Sequence, residues 1–165
     1  MEHENTAHGA MGADMERKHY RMLWLNLLFG AVIMYLGMFA MIWSGGEFIQ
    51  NINFLYMALI MWAPMSAVML WTMKSMYQNS QMNLALYALF AVVFVLSLWG
   101  MRDQLLVGDR QFLRSMIPHH SGAILMCERS NLADLEIRSL CDGIVRGQAQ
   151  EIAQMKAILA RKQGS

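Results

Sequence analysis

The sequence predicts an all-α membrane protein: three transmembrane helices followed by an extramembrane two-helix hairpin. Three observations carry this reading. Hydrophobic residues make up 56% of the chain and charged residues only 15%. Between Met22 and Met101 only Glu47 and Lys74 are charged, a pattern typical of chains that cross a bilayer more than once. Beyond Met101 charge returns, and the apolar residues recur at helical spacing. The chain therefore divides into a polar N-terminal tail (1–21), a three-span region (22–101) and an exported helical hairpin (102–165). A net charge of +1 leaves no basic stripe to neutralise phosphates and argues against a nucleic-acid partner.

The tail carries His3, His8, Met11, Met15 and His19. Such a composition can bind metals, but the spacing is irregular, and a solvated tail is the plainer reading. It does not read as a signal peptide, because the apolar run that follows is too long and lacks a small-residue cleavage pattern.

The first apolar run, Met22 to Trp43, would form a helix of about 33 Å, enough to cross a hydrocarbon core of about 30 Å. Ser44-Gly45-Gly46 ends it. Ile52 to Met73 is the second run. Its Pro64 removes one amide donor and frees the Ile60 carbonyl, so a kink is expected. Asn83 to Met101 is the third. Trp24, Trp43, Trp71 and Trp99 lie near the run ends, where interfacial indoles belong. Methionines recur every fourth residue from Met57 through Met61, Met65 and Met69 to Met73. They can pack between spans as adaptable filler, or form a ladder of thioethers for Cu(I).

Three spans place the termini on opposite sides. Arg17, Lys18, Arg21 and Lys74 flank one side, and the Ser44–Asn51 loop on the other has no Lys or Arg. The positive-inside rule then favours a cytoplasmic N-terminus and an exported hairpin, although Arg102, Arg110 and Arg114 reduce the asymmetry. The hairpin begins at Gly108-Asp109, with Asp109 as N-cap. One helix runs from Arg110 to about Arg129 and should bend at Pro118. Asp134 caps the second, which runs from Leu135 to about Arg161. Gly143 and Gly147 share a face that would let another helix approach. Two helices cannot bury a core alone, so the hairpin must pack on its own spans or on a second copy. A homodimer would complete a four-helix bundle.

The chemistry concentrates in Met116-Ile117-Pro118-His119-His120 and its continuation to Met126. On a helical wheel His119, Ala123 and Met126 fall within about 40°, with Met116 one turn before His119 and His120 on the adjacent flank. In the last helix Gln148, Glu151, Ile152 and Met155 share a face, and antiparallel packing would bring two imidazoles, two or three thioethers and one carboxylate towards a common interior. Thioethers are soft and uncharged and suit Cu(I), while imidazole suits both copper oxidation states. Gln148 and Glu151 are better placed to accept an imidazole N–H than to bind the ion. The competing reading is a helix pair with methionines as core filler and histidines that are merely hydrogen-bonded. Cys127 and Cys141 match no zinc or redox motif. They either form a disulfide in an oxidising compartment or remain two buried thiols.

From Asp109 to Leu159 the chain resembles the bacterial domain-of-unknown-function family 305. The likeness lies in Phe112–Met116 leading into Pro118-His119-His120, then Ala123-Ile124 and Met126, then Gln148, Glu151-Ile152 and Met155. The three-span region resembles a membrane-anchored subgroup of that family. The resemblance implies a ferritin-like helical domain, of which this hairpin would be half. It also implies a periplasmic copper-binding role in copper resistance, with Met116, His119, His120, Met126 and Met155 as candidate ligands, in a bacterial inner-membrane protein. A copper-handling partner protein is a further expectation.

An enzyme is not expected: the hairpin has no paired Glu-x-x-His motifs of the di-iron kind, and no nucleophile or phosphate loop is evident. The rival function is a membrane scaffold whose hairpin binds a partner helix.

Overall fold

The computed structural model describes residues 2–162, with side chains from Met15 onward. The side chains of His3, His8 and Met11 therefore lie outside the described residues. All regular structure among the described residues is helical. Helix α1 spans Glu2–Gly37, α2 Ile52–Thr72, α3 Ser80–Arg102, α4 Asp109–Arg129 and α5 Leu135–Arg161, with short 3-10 turns at Met38–Met41 and Gly45–Glu47.

Three helices are long and apolar enough to cross a membrane: Met15–Met41, Ile52–Thr72 and Ser80–Arg102. The last two match the expected runs to within three residues at each end. The first differs. The polar stretch before Met22 continues the same helix instead of forming a separate tail, so Met15, Glu16 and His19 lie at the start of the first candidate span.

Helix α2 lies between α1 and α3. Leu23 and Leu27 of α1, Ala63 and Leu70 of α2, and Leu86 and Phe90 of α3 form the buried seam. The Trp62 indole N–H donates to the Leu27 carbonyl at 2.8 Å. Gly100 lets the Tyr56 ring approach so closely that an added Cβ would lie 2.9 Å from it. Trp24, Trp43, Trp71 and Trp99 are all exposed, as interfacial indoles require. The methionine series divides. Met57, Met61 and Met65 face outward, whereas Met69 and Met73 pack against the seam. The winding of an i, i+4 series accounts for the split.

Asn51 caps α2 and Asn79 caps α3 through side-chain oxygens. Asp134 Oδ1 accepts from the amides of Glu136 and Ile137 and caps α5 as expected. Asp109 is not the cap of α4: Gly108 holds that place without a side-chain hydrogen bond. Asp109 is the first helical residue, and its Oδ2 accepts from Lys162 Nζ at 2.7 Å. A carboxylate there still favours the positive end of the helix dipole, and it also ties the start of α4 to the end of α5.

The hairpin packs on its own chain. Leu113, Ile117, Ile124, Ile152, Met155 and Leu159 form its core, and Ile49 from the α1–α2 loop packs against it. That loop supplies the third layer that two helices lack. Among the described residues nothing lies within 4 Å of a Cβ at Gly143 or Gly147, so no described helix uses that close approach within one protomer.

Candidate functional site

The seat of the hairpin is a buried polar knot. Ser121 is fully buried. Its Oγ accepts from the Trp43 amide at 2.6 Å and donates to Glu47 Oε2 at 2.7 Å. Glu47 Oε2 also accepts from the Ser44 amide at 3.0 Å, and Oε1 accepts from Lys156 Nζ at 3.2 Å. Ser44 Oγ accepts from the Gly46 amide, so Ser44 and Glu47 form a capping box on the short turn. An added Cβ at Gly122 would rest 3.5 Å from the Met41 carbonyl. The Ile52 amide donates to Gln111, and Arg129 lies over the Trp43 ring.

The knot fixes which way α4 presents its other faces. One flank turns towards α5. There His120, 9% exposed, places Nε2 2.7 Å from Glu151 Oε2. An ionised carboxylate only accepts, so Nε2 is the donor when Glu151 carries its charge. In the neutral ring Nδ1 is then a lone-pair nitrogen. Nδ1 is buried and has no hydrogen-bond partner among the described residues. Glu151 therefore contacts the His120 imidazole at Nε2 and leaves Nδ1 on the far side of the ring. Met116, one turn before His120, packs against the hairpin core that contains Met155. Gln148 is half-buried on the same face of α5.

The opposite flank of α4 points outward. His119 is exposed, its ring centroid 6.2 Å from that of His120. Met126 is 57% exposed on the same stripe, with Phe112 at 51%. One protomer therefore pairs His120 with Glu151 between α4 and α5 and packs Met116 and Met155 at the hairpin core. It leaves His119 and Met126 on the outer flank of α4. Among the described residues no three His, Cys, Asp or Glu side chains gather as a metal-holding group, so a metal here would depend on methionine sulfur beside imidazole.

Cys127 and Cys141 form a disulfide, with Cα atoms 5.3 Å apart. It clamps the turn end of the hairpin, and the Asp109–Lys162 pair closes the other end.

Sequence reasoning missed Glu47. Two signals were present: a lone carboxylate in a long uncharged stretch, and the Ser44-x-x-Glu47 spacing of a capping box. Its partners, Ser121 and Lys156, lie 74 and 109 residues away and carry no local mark.

The family described as "Domain of unknown function (DUF305)" matches residues 99–159, which covers the end of α3 and nearly all of the hairpin. An uncharacterized protein of Acanthamoeba polyphaga mimivirus is 31% identical over 118 residues, covering 70% of this chain and 76% of the relative. No solved structure matches. With the hairpin matched by the family model and most of the chain aligned to that relative, the protein belongs to the DUF305 family.

Proposed function

We propose that this protein is a membrane-anchored copper-binding protein whose hairpin sequesters or hands off Cu(I) for copper tolerance. The observation that carries the proposal is His120: Glu151 holds its Nε2 proton, and its buried Nδ1 has no partner among the described residues. A buried acceptor without a partner is costly, and a bound cation would satisfy it. Met116 and Met155 supply soft sulfur to the same region. Copper is cargo here, not a catalyst.

His119 and Met126 are the remaining expected ligands. They join the site where a second copy covers the outer face of α4, on which Met126 and Phe112 are also exposed. A homodimer would bury this stripe and turn two hairpins into a four-helix bundle. The same apolar face supports the second reading, a scaffold that docks a partner helix or a copper-handling protein.

The proposed location is a bacterial inner membrane, with the hairpin in the periplasm. Arg17, Lys18, Arg21 and Lys74 lie at the end of the bundle away from the hairpin, and this charge distribution supports the orientation. The Cys127–Cys141 bridge suits an oxidising compartment.

Cu(I) competition titration of the full chain in detergent tests the function. His120→Ala and Met116→Leu should each weaken binding at the hairpin at least tenfold. Affinity unchanged in both would favour the scaffold.

A further inference from the structure

At the end of the bundle away from the hairpin, the extension of α1 creates a second concave surface. Met15, Glu16 and His19 line one wall of a pocket of about 340 Å3, and Ser75, Met76 and Gln78 of the α2–α3 turn line the other. Met15 and His19 are four apart and Glu16 and His19 three apart, so all three side chains are helical neighbours. Met15 is 57% exposed and Met76 40%, so neither thioether serves as core filler. Glu16 and His19 are half-buried.

The opposite wall is held in place. Tyr77, next to Met76, is 3% exposed, and its ring centroid lies 5.4 Å from that of Tyr20. The Tyr20 hydroxyl donates to Asn83 Oδ1 at 2.9 Å, and Asn83 Nδ2 donates to the Tyr77 carbonyl at 2.7 Å. The Gln78 amide donates to the Ser75 carbonyl at 3.3 Å. Tyr20 immediately follows His19, so one tyrosine pair sets the spacing between the two walls. A pocket whose walls are fixed before a ligand arrives costs less ordering on binding.

We propose that this pocket is a second soft-cation site, taking a monovalent thiophilic ion of the Cu(I) or Ag(I) class. The Met15 and Met76 sulfurs and the His19 imidazole would be its ligands, and Glu16 would balance the charge. Two thioethers and an imidazole suit such an ion. One carboxylate is too few oxygens for Ca2+ or Mg2+. None of Arg17, Lys18, Arg21 or Lys74 lines the pocket, and the Glu16 carboxylate there disfavours an anion. The site shares no residue with the hairpin and lies at the other end of the bundle, so either can fail without the other.

The test is an Ag(I) titration of the full chain in detergent, labelled at the methionine ε-methyl groups and followed by NMR. Single Met→Leu variants assign the signals. The Met15 and Met76 signals should move together, and His19→Gln should weaken that response at least tenfold while leaving the Met116 and Met155 signals in place. Those hairpin signals report the fold of each variant, and Met76→Leu serves as a second test of the pocket should His19→Gln disturb it. Met15 and Met76 signals that stay fixed at saturating Ag(I) in the native chain, or a Met15 signal that moves equally in wild type and in both variants, would overturn the proposal.

Discussion

Ser121 Oγ donates to Glu47 Oε2 at 2.7 Å across 74 residues of chain, and this contact joins the hairpin to the first loop of the membrane bundle. Because Ser121 also accepts from the Trp43 amide, losing either side chain leaves buried groups unpaired. Ser121→Ala should cost about 1–3 kcal/mol and Glu47→Ala about 2–3 kcal/mol, the range for lost bonds to buried or charged groups. Amide hydrogen exchange over residues 117–124 should accelerate in both variants, with α2 and α3 unchanged.

The disulfide should stabilise the hairpin chiefly by restricting its unfolded state. For the 14-residue separation of Cys127 and Cys141, the chain-entropy estimate is about 3 kcal/mol. Cys127→Ser with Cys141→Ser, or a reductant, should lower the midpoint of hairpin melting followed by circular dichroism.

Acid should loosen the open end of the hairpin. The hydrogen bond from Lys162, followed by its charge, holds the Asp109 carboxyl below the usual aspartate range. A depressed folded-state value means that its contribution is complete above the ordinary aspartate pKa and fades as pH falls through the lowered one. Amide exchange at residues 110–113 should rise in that acid window in the native chain. Asp109→Asn should abolish the acid-dependent rise.

Two kinds of glycine should respond with opposite sign. At Gly100 a methyl group would meet the Tyr56 ring, so Gly100→Ala should cost about 1–3 kcal/mol through overpacking. At Gly143 nothing lies within 4 Å, so Gly143→Ala should gain about 0.5–1 kcal/mol of helix stability in the monomer. Thermal unfolding of the two variants checks the pair.

Much of this architecture is legible in the residues. The charge-poor stretch marks the spans, and Asp134 marks the start of α5, because both signals are local. The tail is not legible: its polar residues suggest solvated chain, yet they continue a helix already nucleated by the apolar run beside them. The seat of the hairpin is equally hidden, since Ile49, Glu47 and Ser121 meet only through tertiary packing. For the candidate site, helical spacing placed Glu151 opposite an imidazole. Spacing alone could not tell which flank of α4 would turn inward. That depended on Ser121 and Gly122 seating against the loop, which aims His120 at α5 and His119 outward.

The central claim is that His120 offers a copper-binding nitrogen while Glu151 holds its other one. Nitrogen-15 NMR of the His120 ring in the full chain tests this most directly. The account predicts a proton on Nε2, an unprotonated Nδ1, and a large change at Nδ1 alone when Cu(I) is added. A proton on Nδ1, or an Nδ1 signal that Cu(I) leaves unmoved, would contradict it.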